Sequence, residues 1–533
     1  MRQIQRALLI ALAVLLAAGS LGLPALSADR NKVGAYKIAK REQVPEGFLQ
    51  HFPETIQKVG ESPFLQMKSV YRNARYGFAF DANGFQVDDS LEDIRTSFHT
   101  GYTHVDIYYN DLSGSSANGN SYIAYSNKHM TNSDYVSMER DQSFVYKNRR
   151  VRVLEWKRKP LKYAKENGLD FVHYAILDIE KNPSEVYSIH INSVSDIDPM
   201  DYVKRFKLIP ADANAPLKRA GAERLGNPNW SEETDRFFEE DFQGLEKTEL
   251  GIFEPTTAYY FEKLHKLEEE HELKFKYLLE YYSFSDTLYQ HHFDDLYKNG
   301  RILEFTFQTS FGNELLSQMT YEVLDGNFDE KIDALASTLK NIKGPVFFRL
   351  NNEMNGDWCS YNALHFHRDT RLYTKMWEHF YRKIHEAGAK NVIFVFNPNE
   401  KSFPNFKWNH YMNYFPGRDF VDVIGVTGYN TGNYYYGETW RDFKHIYDEF
   451  MPDYRARFQG YDFFITEFGS STVGGDRIAW LDDMFEKLGE YGFKVAIYWN
   501  GTDWDAGGNP ARPYKITDDY EAMRHFRRYQ RED

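Results

Sequence analysis

Apolar and polar residues alternate over short spans in the first half of the chain, then settle into a longer rhythm in the second. Between Asn31 and Pro210 the runs Tyr76–Phe80, Thr103–Tyr109, Val151–Trp156, Phe171–Leu177, Glu185–Ile191 and Tyr202–Ile209 are rich in β-forming residues. Several alternate with period two and turn residues separate them, the mark of half-buried strands. One helix-like piece, Leu161–Asn167, lies among them. The pattern predicts an α+β or β-rich accessory domain over residues 29–210. Residues 211–248 are rich in Ala, Pro, Asn and acidic side chains and read as a linker with one helix, Glu232–Phe242.

From Leu250 the pattern is strand, loop, helix, repeated. The strands are Leu250–Phe253, Phe275–Tyr281, Arg301–Phe307, Val346–Leu350, Val392–Phe396, Val423–Val426, Phe463–Thr466 and Val495–Trp499. Amphipathic stretches such as Ala258–Glu270, Lys331–Ile342, Arg371–Ala387 and Ile478–Tyr491 lie between them. Eight such units predict a (β/α)8 barrel over residues 249–533, an α/β fold. A doubly wound open sheet commonly carries a glycine fingerprint after its first strand, and Phe253-Glu254-Pro255 stands there instead. Since all eight strands lie beyond it, a chain beginning near Leu245 is expected to fold by itself.

The N-terminus changes the picture of where the chain works. Arg2 and Arg6 precede an unbroken apolar run, Ala7–Ala18, and Leu26-Ser27-Ala28 offers a small-residue cleavage site. Residues 1–28 therefore read as a signal peptide cut after Ala28, giving a secreted protein with no stable membrane insertion after cleavage. Uncut, Ala7–Ala28 could just span a bilayer, but Gly19, Gly22 and Pro24 favour cutting. The one cysteine, Cys359, excludes an internal disulfide, so stability must come from the core. The formal charge is −14, and −16 once Arg2 and Arg6 are removed. That balance argues against nucleic acid and polyanionic polymers as partners and suits a neutral one. Aromatic residues make up 17% of the chain. They fill cores, and their flat faces also stack on sugar rings.

Chemistry in a barrel sits at the C-terminal ends of its strands. Strand four ends in Arg349-Leu350-Asn351-Asn352-Glu353-Met354-Asn355-Gly356-Asp357-Trp358, and strand seven in Thr466-Glu467-Phe468-Gly469. Strands four and seven face each other across the barrel mouth. Two opposed carboxyl groups are what glycosidic cleavage needs, one to protonate the leaving oxygen and one to attack or to activate water. A single Glu at a strand end would be more simply a structural ion pair; a pair at these strands reverses that preference. Other constellations fail. Asp81, Asn83, Asp89 and Glu92 match a calcium loop only in part, with Phe85 and Gln86 where a ligand and Gly belong. His291-His292 and His365-Phe366-His367 lack paired ligands at metal spacing. There is no nucleophile elbow and no phosphate-cradling loop, so neither metal nor cofactor is expected.

The stretch Arg349–Trp358 resembles the acid/base motif of glycoside hydrolase family 26, Arg-x-x-His-Glu-Met-Asn-Gly-x-Trp. Leu250–Pro255, Phe394–Asn399, Gly428-Tyr429-Asn430 and Thr466–Gly469 agree with that family in order, and the likeness covers residues 249–533. The resemblance implies that Glu353 is the general acid/base and Glu467 the nucleophile. It implies further that Arg349 keeps Glu467 ionised, Tyr429 orients it, and Trp358 and Trp499 form the aromatic floor at the cleaved sugar. Asn352 and Asn355 are expected at the substrate. Asn352 departs from the family's mannanases, which carry His there, and so weakens mannan specificity. The resemblance and the acidic charge together point to a monomeric, retaining endo-hydrolase of a β-linked neutral polysaccharide: mannan, β-glucan, xylan or an exopolysaccharide. The alternative is a non-catalytic polysaccharide-binding protein on a hydrolase-like barrel. For the accessory domain, carbohydrate binding and a purely structural role both stay open.

Overall fold

The computed structural model describes residues 66–67, 70–257, 261–311 and 318–531, so the expected signal peptide lies outside the described residues. The second half is a closed barrel of eight parallel strands: β1 (Glu249–Phe253), β2 (Tyr277–Ser283), β3 (Ile302–Gln308), β4 (Val346–Leu350), β5 (Val392–Phe396), β6 (Val423–Asn430), β7 (Phe463–Ser470) and β8 (Phe493–Trp499). β1 closes the ring by pairing in parallel with β8, Glu249 opposite Val495 and Phe253 opposite Trp499. Every predicted barrel strand is found. Alternation within a strand sorts residues between barrel interior and helix layer. Gly425 on β6 has no room for more than hydrogen, since a Cβ there would sit 2.8 Å from side-chain atoms of Asn397 and Thr466. Between β5 and β6 the strand–helix rhythm breaks, and the described residues form two short 3-10 turns, Lys407–Asn409 and Tyr411–Asn413. The N-terminal domain packs there, with Tyr122 against Phe406 at 4.5 Å and Trp408 Nε1 donating to Ser126 Oγ at 3.2 Å.

That domain is β-rich, as its alternation predicts. Its main sheet is antiparallel, in the order Gln66–Met67, Gln86–Asp88, Thr96–His99, Thr103–Asp111, Glu185–Ser193, His173–Asn182, Arg149–Arg158, Val136–Tyr146. Parity decides what each residue meets. Odd-numbered Val105, Ile107, Val151, Val153, Leu177, Ile189 and Ile191 form the domain's own core with Phe78, Phe80 and Phe206 of a three-stranded sheet. Even-numbered Tyr108, Leu154, Trp156, Tyr174, Ile176 and Val186 belong to the same buried cluster as the barrel's helices. The two halves thus share a core.

Local expectations fail where polar signals were outweighed. Tyr202–Ile209 is not one strand: Pro199–Arg205 is helical, capped by Asp198 with Pro199 in its first turn, and only Phe206–Leu208 is extended. Leu161–Asn167 is a turn instead of a helix, its chain reversed by Asn167 and Gly168 at φ 49° and 81°. Residues 211–248 are not a free linker. Ala222–Glu223 pairs with Phe458–Gln459 beside the barrel, and Trp230 Nε1 donates to Val392 O at 2.8 Å. The predicted helix runs from Glu232 through Gln243 and inserts Phe237, Phe238 and Phe242 among Tyr277, Phe347, Ile393, Val423, Phe464 and Val495. Those are residues at the start of the strands, so this segment closes the floor of the barrel.

Candidate active site

Layers inside the barrel change character from floor to mouth. On β4 the inward position after Phe347 is Arg349, wholly buried. Its Nη1 lies 2.6 Å from Glu467 Oε1 and 2.8 Å from Asn397 Oδ1, while its Nε lies 2.7 Å from Glu304 Oε1 and donates to Thr306 Oγ1 at 2.6 Å. One guanidinium therefore serves two carboxylates beneath the mouth. Burial pushes the Glu304 carboxyl up to about 8 even beside Arg349, because the cation is shared with Glu467, whose charge adds to the rise.

The chain leaves β4 through Asn351 and Glu353, both left-handed at φ 55° and 54°. That conformation costs a non-glycine residue on the order of 1–3 kcal/mol and needs partners to hold it. Asn351 N donates to Phe307 O at 2.9 Å, Thr309 N donates to Asn351 Oδ1 at 2.7 Å, and Glu353 N donates to Asn397 O at 2.8 Å. Trp358 Nε1 donates to Glu353 Oε2 at 3.2 Å. Burial, and then the charge of Glu467, raise the Glu353 carboxyl to about 8, against partial relief from Trp358 and Arg349. Glu467 accepts from Tyr429 Oη at 2.9 Å and from Asn352 Nδ2 at 3.4 Å. Burial holds the Tyr429 phenol well above its usual range, so it stays a donor. The two glutamates thus sit in opposite surroundings: Glu353 is kept protonated and Glu467 is ringed by donors and a cation. One group is fit to give a proton and the other to attack.

Most of the residues expected here are brought together. Trp499 stacks on Phe253 with ring centroids 5.5 Å apart and meets Tyr429 edge-on at 6.2 Å. Trp358 lies against Phe403, which is 45% exposed, at 5.2 Å. Asn352 is fixed by Gln308 Nε2 and Tyr361 Oη, both at 3.0 Å from its Oδ1. One expectation is corrected. Asn355 does not face substrate: it is wholly buried, its amide bonded to Asn399 N, Asn399 O and Ser402 Oγ at 2.7, 3.0 and 3.2 Å, and so ties the β4 loop to the β5 loop. Arg349 lies against Glu467, where it was expected, and with no exposure it binds no substrate itself but acts through that carboxyl.

Sequence reasoning missed Glu304, Thr306, Asn397, Asp503 and Tyr281, whose ring faces the Arg349 guanidinium at 5.6 Å. Glu304-Phe305-Thr306 carried a usable signal, since polar residues at alternate positions of an otherwise apolar parallel strand must point into the barrel. Asp503 gave none. It lies just beyond β8 in a short hairpin, binds Arg512 Nη1 at 3.1 Å, is raised to about 7 chiefly by burial, and adds to the upward push on Glu353. Among the described residues no group of three or more His, Cys, Asp or Glu is placed to hold a metal ion.

Residues 290–454 match the model of "Glycosyl hydrolase family 26". Endoglucanase H of Acetivibrio thermocellus is 27% identical over 226 residues, 41% of this chain and 24% of that protein. A mannan endo-1,4-beta-mannosidase of Bacillus subtilis is 24% identical over 143 residues, 26% of this chain and 35% of that protein. The chain therefore spans about a quarter to a third of the length of these relatives. Among solved structures, a GH26 beta-mannanase from Bacteroides ovatus aligns with 57% of this chain and 94% of its own, at 14% identity and a TM-score of 0.44. The family match runs from the helix after β2 to the helix after β6 and takes in the loop that carries Glu353, so this part of the barrel is similar to glycosyl hydrolase family 26.

Proposed function

We propose that this protein is a retaining endo-glycoside hydrolase of a β-linked neutral polysaccharide, with Glu467 as nucleophile and Glu353 as acid/base. The observation that carries this reading is the opposed surroundings of the two carboxyls at the ends of β4 and β7: Glu353 buried and raised to about 8, and Glu467 in contact with Arg349, Tyr429 and Asn352. In the first step Glu467 attacks the anomeric carbon while the Glu353 proton passes to the departing oxygen. In the second, the Glu353 carboxylate takes a proton from water, which displaces Glu467 with net retention. Forming the glycosyl-enzyme removes the charge of Glu467, one of the influences that held the Glu353 proton, so the acid becomes a base when it is needed.

β-Mannan and β-glucan are the leading substrates, because relatives of the barrel are a mannan endo-1,4-beta-mannosidase and an endoglucanase; xylan is the third. The test is a screen of the purified protein against these polymers, with NMR of the first product. A retained β-anomer from internal cleavage is expected, and an inverted product or release from chain ends only would overturn the reading. The protein is proposed to act as a secreted monomer cut after Ala28. The mass of the exported chain and its size in solution test this, and a retained residue 1–28 segment would refute it.

A further inference from the structure

The loop that carries Glu353 does not return directly to the barrel wall but runs across the N-terminal domain, which takes up its polar side chains. Asp357, next to the tryptophan that donates to Glu353, accepts from Tyr125 Oη and lies 3.9 Å from Lys128 Nζ. Further on, Arg368 is buried with its guanidinium turned to the sheet. It donates to Asn127 Oδ1 at 2.9 Å, Ser188 Oγ at 2.8 Å and His190 Nε2 at 2.9 Å, with Asp178 at 3.5 Å. Asp369 caps the helix Thr370–Glu386 through Arg371 N, while its other oxygen accepts from Tyr174 Oη at 2.9 Å and Asn192 Nδ2 at 3.2 Å. Arg371 pairs with Asp106 at 2.8 Å.

Two further facts set this contact apart from ordinary domain packing. His367 and Arg368 are both left-handed, at φ 61° and 62°, and with Asn351 and Glu353 they make four such residues in one loop. Backbone of this kind persists only where its surroundings over-determine it. At Arg368 those surroundings are Asn127 together with Asp178, Ser188 and His190, three polar residues of the sheet's even-numbered face. A sheet face whose work was only to pack would be apolar there. Here buried charge meets buried charge, an arrangement that gains little net stability but fixes one geometry.

We propose, resting on Glu353 as acid/base, that the N-terminal domain is a positioning clamp for the catalytic acid and not a polysaccharide-binding appendage. Tyr125 acts through Asp357, and Tyr174 through Asp369; both are positioning residues that touch no substrate. Displacing a catalytic group by about 1 Å can cost up to about 100-fold. The loss has a chemical signature. A sugar leaving as its alkoxide must be protonated by Glu353, whereas a 2,4-dinitrophenolate leaves without a proton, so the first step on such a substrate is blind to where the Glu353 proton points.

The experiment uses the full chain, its Tyr125→Phe and Tyr174→Phe variants, each lacking one hydroxyl, and Glu353→Ala as reference. The readout is kcat/KM on mannotetraose and on 2,4-dinitrophenyl β-mannobioside, with the cello-counterparts alongside. Both tyrosine variants should lose roughly 10-fold or more on the tetraose and less than about 2-fold on the aryl glycoside. Equal losses on both substrates, or no loss on either, overturn the clamp if Glu353→Ala itself shows the split. If Glu353→Ala shows no split, the acid/base assignment falls, and the clamp with it.

Discussion

Phe242→Ala is the sharpest probe of how the barrel is closed. Phe242 is wholly buried at the floor, with ring centroids 4.9 Å from Phe347, 5.3 Å from Phe238 and 6.4 Å from Phe464. A buried Phe cut to Ala costs about 3–5 kcal/mol, and the rigid ring of strands around this site leaves little room to collapse, which favours the upper end. Phe237 and Phe238 lie beside it, and burying three such side chains contributes roughly 1.5–3 kcal/mol each. Together that is comparable with a whole domain's stability of about 5–15 kcal/mol. A chain starting at Leu245 lacks all three and opens the floor to water, so the expectation drawn from sequence reverses: that fragment should not fold. Urea unfolding of the full chain, followed by tryptophan fluorescence, should show a lower midpoint at unchanged slope for Phe242→Ala. Val145→Ala, on a residue 73% exposed, serves as control and should change stability by less than about 0.5 kcal/mol. A loss below about 1 kcal/mol for Phe242→Ala, or a soluble, cooperatively melting fragment from Leu245, would refute this reasoning.

Other expected outcomes concern the mouth of the barrel. Glu353→Ala and Glu467→Ala should each lower turnover on the order of 10³-fold with the melting curve little changed, and azide should rescue the first with retained and the second with inverted configuration. The pH profile of kcat/KM should fall on its alkaline side near 8, where Glu353 loses its proton; a limb near ordinary carboxylate values would count against the assignment. Because the folded protein raises Glu353 from 4.5 to about 8, stability is fully kept below 4.5 and lost as pH rises through 8. Glu353→Gln should therefore be more stable than the natural chain at pH 9 and no different at pH 4, as measured by denaturant midpoints. Tyr429→Phe removes one donor from Glu467 and should lower kcat more than it changes KM, since the attacking carboxylate, not the bound sugar, loses its partner.

The barrel and the two glutamates at its mouth were legible in the sequence because both depend on local regularities. Parallel strands covered on both faces read as short apolar bursts, and Glu353 and Glu467 come directly after such bursts. The main sheet of the first domain was legible for the same reason, through period-two alternation. The sequence did not disclose what each face of that sheet meets. Asp106, Asp178, Ser188 and His190 look like solvent-facing positions in a strand, yet they are buried because Arg368 and Arg371, far along the chain, arrive opposite them. Polar composition made residues 211–248 resemble a linker, but Phe237, Phe238 and Phe242 anchor it, and only a barrel floor of matching shape gives them a place to go. Asn355 stands in the motif with the same standing as Asn352; tertiary structure turned one into the protein and the other toward Glu467. Patterning fixes which elements form, since it acts over a few residues. Which buried charges find partners depends on contacts closed across hundreds of residues, and these the fold decides.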